Sequence, residues 1–205
     1  CGSEVIGGLC SLAAPSGECF IPEAKVLMAD GEWKQIKDVT IGDKVQGADG
    51  ANTVVATPRF NLGINRLHGF NGRKPFITCM HPILTDKGWA NFNPQAFADN
   101  WPEDYKEVAE ENESGEILKL NEGDNVVFWI DNCTSSIPLE EHIIEDRDPS
   151  FRVYNLTLDN DHTFIVEGVV VHNKPHKDYA DPALQENILP LGNEYVDKLL
   201  NLSPH

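Results

Sequence analysis

The sequence predicts an all-β domain, and three observations carry that expectation. Between about residues 20 and 172 the chain is a series of short runs rich in β-branched and aromatic residues. Asp-Gly, Asn-Asp or lone Gly turn signals punctuate those runs. Almost nothing in the first 170 residues has helical spacing. Several short strands at such intervals imply a sheet assembly whose edges are closed or covered.

In chain order the strand-like runs are AKVLMADG (24–31), KVQGADG (44–50), NTVVATPRF (52–60), PFITCMHPILTDKG (75–88), DNVVFWIDN (124–132) and FRVYNLTLDNDHTFIVEGVVVH (151–172). DVTIGDKV (38–45) and KLNEGDNV (119–126) share an apolar residue, then Gly-Asp, one residue and Val. Coincidence and an ancient duplication explain this repeat equally well. Residues 102–124 break the pattern with nine acids and two bases, and are expected to form a mobile loop or a short exposed helix. After Asn173 the composition changes: 174–205 hold four prolines and a NEYVDKLLNL stretch with helical spacing. The expected organisation is a flank over 1–18, a domain over 19–173 and a second flank, with a short helix, over 174–205.

Composition narrows the function. The 205 residues carry 16 basic and 33 acidic side chains, a formal charge of −17, which argues against nucleic acid as the main partner. No apolar run approaches the roughly 20 residues of a membrane span, and CGSEVIGGLC lacks the basic and apolar regions of a secretory signal. Five cysteines with no CxxC pair disfavour a metal knuckle or a complete disulfide framework. A reducing compartment, the cytoplasm, is the expectation, although a Cys1–Cys10 bridge stays open. Cys79 and Cys133 are expected to pack in the core, and His142 and His176 are assigned no ligand role. LDNDH (158–162) lacks the longer pattern of a calcium loop and is taken as a turn. No metal or cofactor is expected.

The chemistry lies at the two boundaries. A Cys19 thiolate can attack the carbonyl of Glu18 and move the chain onto sulfur as a thioester. The Asn173 amide can attack its own carbonyl, closing a succinimide and releasing the chain that begins at Lys174, with both groups in one residue. Each step needs proton donors and oxyanion stabilisers. Thr78 and His81, three apart, could be aimed at one carbonyl, with His81 protonating the departing Cys19 nitrogen. His162 and His172, ten apart, suit neighbouring segments, and His172 directly precedes Asn173.

Four motifs in order, CFIPEAKVLMADGEWKQIKDVTIGDKV from Cys19, Thr78 to His81, and the paired motifs of VYNLTLDNDHTFIVEGVVVHN, resemble the Hint (Hedgehog/intein) domain over residues 19–173. With no recognisable endonuclease insert, it resembles a mini-intein or a bacterial intein-like domain. The resemblance implies a horseshoe of pseudo-twofold-related β subdomains. It makes Cys19 the N-terminal nucleophile, with Thr78 and His81 polarising the Glu18–Cys19 peptide. His162 would assist the C-terminal step, His172 would be the penultimate histidine, and Asn173 the cyclising residue. The substrate would be the protein's own flanks, handled by a monomer in a single turnover.

Three positions depart from the family: Glu23-Ala24 where Gly-Thr is common, Asn155 where Asp is common, and Lys174 where splicing requires Cys, Ser or Thr. Loss of the acid at 155 would remove an acid/base or electrostatic helper. Lys174 cannot capture a thioester through its side chain, so cleavage is expected to dominate over splicing. The alternative is a slow or inactive Hint-fold module with a structural or interaction role.

Overall fold

The computed structural model describes residues 17–173; the flank segments 1–16 and 174–205, with the expected C-terminal helix, lie outside the described residues. Strands dominate. A nine-stranded sheet is accompanied by two three-stranded sheets and one two-stranded sheet. The valine run is explained by its place in the largest of these. The strand Val169–His172 is buried at every residue and pairs with Thr163–Val166 along its whole length. It also meets Phe128 and Ile83 on neighbouring strands. A strand covered on both faces has no polar side to alternate with, so it reads as a continuous apolar run.

One core cluster runs through most of the domain, and its largest side chains include Phe20, Phe70, Phe76, Phe128 and Phe164. Each is worth about 1.5–3 kcal/mol relative to exposure. Phe20 stacks on Phe76 at 6.5 Å and meets the Phe164 ring edge at 5.7 Å. The residue next to Cys19 is thus clamped by the core. Tyr154 and Phe20 also exchange both backbone hydrogen bonds, at 2.8 and 2.9 Å.

The Gly-Asp repeat is structural. Gly42 and Gly123 sit at φ +91° and +90°, a region that favours glycine. Their amides donate to Val54 O and Leu139 O, and those residues' own amides return to Asp43 O and Asp124 O. Both carboxylates close the same turn, Asp43 accepting from Thr40 N and Asp124 from Asn121 N. The flanking apolar residues, Val39 and Val45 in one copy and Leu120 and Val126 in the other, are all buried in the main core. Upstream, each copy has a hairpin with a Leu–Trp cross-strand pair, Leu27 with Trp33 and Leu84 with Trp89. Three residues on from each Trp, Ile36 and Phe92 enter the same core. Six features at matching positions favour duplication over coincidence.

The copies differ in what joins the hairpin to the turn. Ten residues separate Trp33 from Asp43, but thirty-five separate Trp89 from Asp124. The extra chain forms α1 (Pro94–Asn100) and α2 (Pro102–Ala109). Each has Pro in its first turn, where a missing N–H costs nothing, and Asn93 caps α1 by accepting from Ala96 N. The acidic segment expected as a mobile loop or an exposed helix therefore holds one short helix. It is anchored through Val108, Ala109 and Ile117, which are buried in a second cluster with Phe97 of α1 and Trp89. Six of the nine acids are exposed, and that density of charge conceals the anchors in the sequence.

Buried Asn112 locks this segment to the sheet. It accepts from Trp89 N (2.6 Å) and donates to Trp89 O (2.8 Å) and Glu116 O (2.7 Å). Removing it strands backbone groups in the interior at about 1–3 kcal/mol each. In a Cys19→Ala, Asn173→Ala chain, Asn112→Ala should cost at least about 2 kcal/mol and lower Tm by about 4–8 °C. A calorimetric Tm unchanged within a degree would contradict this role.

Candidate active site

The Glu18–Cys19 peptide is held at both of its polar atoms. The Cys19 amide donates to Thr78 Oγ1 at 2.9 Å, and that hydroxyl spends its own proton on Gly17 O at 2.8 Å. Asn155 Nδ2 donates to Glu18 O at 2.6 Å. Thr78 N donates to Cys19 O at 2.9 Å, so a single residue grips the chain on both sides of the junction. Gly17 packs so closely on the Trp101 ring that an added Cβ would lie 2.6 Å from Nε1. The segment joining α1 to α2 thereby demands glycine one residue before Glu18.

Charge is suppressed here. Cys19 is fully buried, and its thiol is pushed up by burial and by the adjacent Glu18 carboxyl. Glu18 itself is raised by burial and by Asp104 of α2. His81, also fully buried, is lowered well below the ordinary histidine range by burial and by His172. His81 is therefore neutral at pH 7. Its ring lies 4.3 Å from Phe20 and 6.3 Å from Phe164, and neither nitrogen has a hydrogen-bond partner among the described residues. The position opposite the Cys19 N–H is occupied by Thr78.

At the other end, Asn173 is buried and donates from Nδ2 to Leu156 O. Its backbone N–H donates to His162 O at 2.8 Å. His162 sits at φ +58°; its Nδ1 faces Leu158 O at 2.8 Å and so carries the proton, leaving Nε2 to accept. The His162 and His172 rings are 6.2 Å apart, edge to face. His172 is 0 % exposed, with Trp89 against it at 5.0 Å. Lys174 lies outside the described residues.

The two junctions are linked. Asn155 Oδ1 accepts from Leu156 N at 2.8 Å while Leu156 O receives the Asn173 amide. One path therefore runs from Glu18 O through the Asn155 side chain and the Leu156 residue to Asn173. All six residues picked out from the sequence, Cys19, Thr78, His81, His162, His172 and Asn173, fall in this one region. The sequence did not disclose Asn155 as a donor. Reading it as a missing acid overlooked that an amide can donate to a carbonyl, which an ionised carboxylate cannot. Trp89, Trp101 and Glu111 also had no signal, since their partners are distant in sequence.

Other candidates resolve plainly. Among the described residues no group of three or more His, Cys, Asp or Glu could hold a metal, and no helix is long and apolar enough to cross a membrane. Cys19, Cys79 and Cys133 are free thiols. Cys79 is half-buried and packs against both core clusters, as expected; Cys133 is exposed, contrary to the expectation of core packing, because it begins an outer strand at a turn. In the 158–162 turn, Asp159 accepts from Thr53 N at 2.5 Å and Asp161 from Asn52 and Thr163. Those carboxylates pin a neighbouring strand.

A family profile described as the Hom_end-associated Hint matches residues 19–64, beginning at Cys19. The Tiggy-winkle hedgehog protein of Danio rerio is 29% identical over 147 residues, covering 69% of this chain; the chain spans only 32% of that protein. A bacterial intein-like domain from Clostridium thermocellum matches at TM-score 0.55 and 23% identity, over 76% of this chain and 98% of that one. A DnaB intein from Synechocystis sp. PCC 6803 matches at TM-score 0.55 and 14% identity, over 77% and 99%. The gp41-1 intein matches at TM-score 0.52 and 17% identity, over 77% and 100%. The described domain therefore has a β-rich fold of the Hint/intein type, with the Hint profile itself matching residues 19–64.

Proposed function

We propose that the chain processes its own backbone in a single turnover, forming a thioester at Glu18–Cys19 and cleaving after Asn173, with cleavage favoured over splicing. The observation that carries this reading is the grip on one peptide bond: Thr78 at its nitrogen, Asn155 at its carbonyl oxygen, and the buried Cys19 thiol beside it. Likeness to inteins in fold supports self-processing chemistry of this general kind.

In the N-terminal step Cys19 Sγ attacks the Glu18 carbonyl carbon. The charge that develops on Glu18 O is met by the Asn155 N–H, already aligned at hydrogen-bond distance, so no reorganisation is needed as it grows. Neutral His81, packed on Phe20, is suited to take the thiol proton and return it to the Cys19 nitrogen as the C–N bond breaks. In the C-terminal step Asn173 Nδ2 attacks its own carbonyl carbon, and the leaving nitrogen of residue 174 collects the proton that Nδ2 loses. His172 and His162 serve that transfer, and the Leu156 carbonyl aligns the attacking amide. Lys174 has no thiol or hydroxyl to take over the thioester, so the flanks mostly part, attack by the freed α-amine of Lys174 joining them only inefficiently. The flanks are the substrate, the domain acts as a monomer, and a reducing compartment keeps Cys19 a thiol.

Hydroxylamine or an added thiol should release residues 1–18, with Cys19→Ala abolishing release on intact-mass analysis. Because burial and Glu18 push the thiol up and burial keeps His81 neutral, the proton passes from Sγ to His81 inside the site, and the release rate at saturating hydroxylamine should vary by less than about threefold from pH 6 to 8. Release that persists in Cys19→Ala, or a rate that climbs about tenfold per pH unit, defeats this route.

Asn155→Ala should slow N-terminal release by about 10²–10³, the usual cost of an oxyanion donor, while leaving Cys19 reactive to a thiol probe in denaturant. A change below threefold would leave Asn155 a packing residue.

Lys174→Cys should supply the missing nucleophile and yield ligated flanks beside a free 19–173 domain. A residue before proline is biased away from the helical region, which restricts how a thiol at 174 can be presented, so a modest yield is expected. Only cleavage fragments, at any thiol concentration, would show that the side chain at 174 is not what limits joining.

A further inference from the structure

The acidic segment that distinguishes the second subdomain copy reaches the C-terminal junction. Glu111 lies just beyond α2, its amide donating to Val108 O at 3.2 Å. One carboxylate oxygen, Oε1, is 3.4 Å from His172 Nε2. The other, Oε2, accepts from Trp89 Nε1 at 2.9 Å. The same Trp89 ring meets His172 edge to face at 5.0 Å, and the neighbouring Asn112 ties Trp89 to this segment through its backbone. Carboxylate, indole and imidazole thus form one packed unit, with the His172 side chain 1 % exposed and that of Glu111 38 %.

We propose that Glu111 is a positioning residue for the C-terminal step, its charge facing His172 Nε2 at ion-pair distance so that Nδ1 is the nitrogen left for proton transfer at the Asn173 junction. This rests on the C-terminal half of the proposed function. Neither His172 nitrogen makes a hydrogen bond among the described residues, so the 3.4 Å approach of the carboxylate to Nε2 is what distinguishes the two. In the step, Asn173 Nδ2 forms a bond to its own carbonyl carbon and loses a proton, while the bond from that carbon to the residue 174 nitrogen breaks and the nitrogen gains one. His172 accepts the first proton and donates the second, passing through an imidazolium. A carboxylate at 3.4 Å favours that cation, as a carboxylate orients and stabilises a histidine in other acyl-transfer sites. Three ionisable groups face His172: Glu111, which favours its charge, and the rings of His162 and His81, which oppose it if charged. The sequence hid this because Glu111 stands among nine acids, with nothing to mark it from Glu110 or Glu113.

The test uses the full chain with Cys19→Ala, which silences the first junction, and follows release of residues 174–205 by intact mass from pH 5 to 9. Glu111→Gln should slow release roughly tenfold, the consequence of removing the charge that favours the imidazolium. Glu111→Asp should recover part of the rate, and Glu113→Gln should match the parent. In the uncleavable Cys19→Ala, Asn173→Ala chain, the nitrogen NMR signals of the His172 ring should show the proton on Nε2, and Glu111→Gln should turn this into a mixture of the two tautomers. In the Cys19→Ala chain the rate difference should shrink in 1 M salt, because the carboxylate is partly exposed. A Glu111→Gln rate within twofold of the parent, with an unchanged His172 tautomer signal, overturns this inference alone. A Cys19→Ala parent that releases nothing at any pH defeats the proposed C-terminal step, and the inference with it.

Discussion

The structure turns on one short segment, Asn155–Leu156, that touches both ends of the domain, at Glu18 and at Asn173. Asn155 reaches the Glu18 carbonyl with its amide and secures its own side-chain oxygen on Leu156 N; the Leu156 carbonyl holds the Asn173 amide. Everything nearby serves to keep that segment still. Tyr154 is paired with Phe20 through two backbone hydrogen bonds, and Phe20 is fixed by Phe76 and Phe164. The core thereby clamps the residue after Cys19 and the residue before Asn155 together. A hydrogen bond of this sort matters for chemistry only if its partners cannot wander, and buried aromatic packing is what prevents that.

Duplication explains why the ends converge. Each copy is a hairpin, an apolar residue and a Gly-Asp turn, and both copies send their hairpins into one sheet: Lys25–Leu27 with Trp33–Gln35, and Ile83–Thr85 with Gly88–Asn91. The last hairpin runs between them, Thr163–Val166 pairing with the first copy and Val169–His172 with the second. Asn173 must therefore emerge at the seam, close to where Cys19 enters through its bridge to Thr78. The second copy's insertion then lies over that seam. Trp101 packs on Gly17, Asp104 raises Glu18, and Glu111 meets His172. An element absent from the first copy touches both junctions.

The sequence was informative where physics is local or periodic. Short β-branched runs between turn residues marked the strands, and Gly-Asp marked two turns whose positive φ needs glycine. The separated Cys19, Thr78–His81, His162 and His172–Asn173 stood out because each has chemistry of its own. What stayed hidden depends on distance. The helical insertion was masked by charges on its solvent face, its anchors Phe97, Val108 and Ile117 being too sparse to show a period across two helices of seven and eight residues. Asn155 looked like a deficit because its value lies in a carbonyl 137 residues away. Trp89, Glu111 and His172 become related only once the sheet is assembled.

The two junctions are treated oppositely by their surroundings, and this bears on the order of events in the proposed reaction. At the N-terminal junction every ionisable group is pressed toward neutrality: Cys19 and Glu18 upward, His81 downward, with burial the largest cause each time. Such a site is well aligned but short of thiolate, so its rate is governed by deprotonation rather than by geometry. At the C-terminal junction the histidine next to the scissile residue has a carboxylate within 3.4 Å, and the attacking amide is already hydrogen-bonded. The neighbour there is an anion, which suits the cation the proposed step needs; at Cys19 the neighbour is Glu18, which opposes the thiolate. With Lys174 offering no thiol or hydroxyl, a C-terminal break that outpaces thioester formation removes the second flank before any exchange could join it to the first. The proposed bias toward cleavage then has two sources, the residue at 174 and the different surroundings of the two ends, and the second is built into the fold itself.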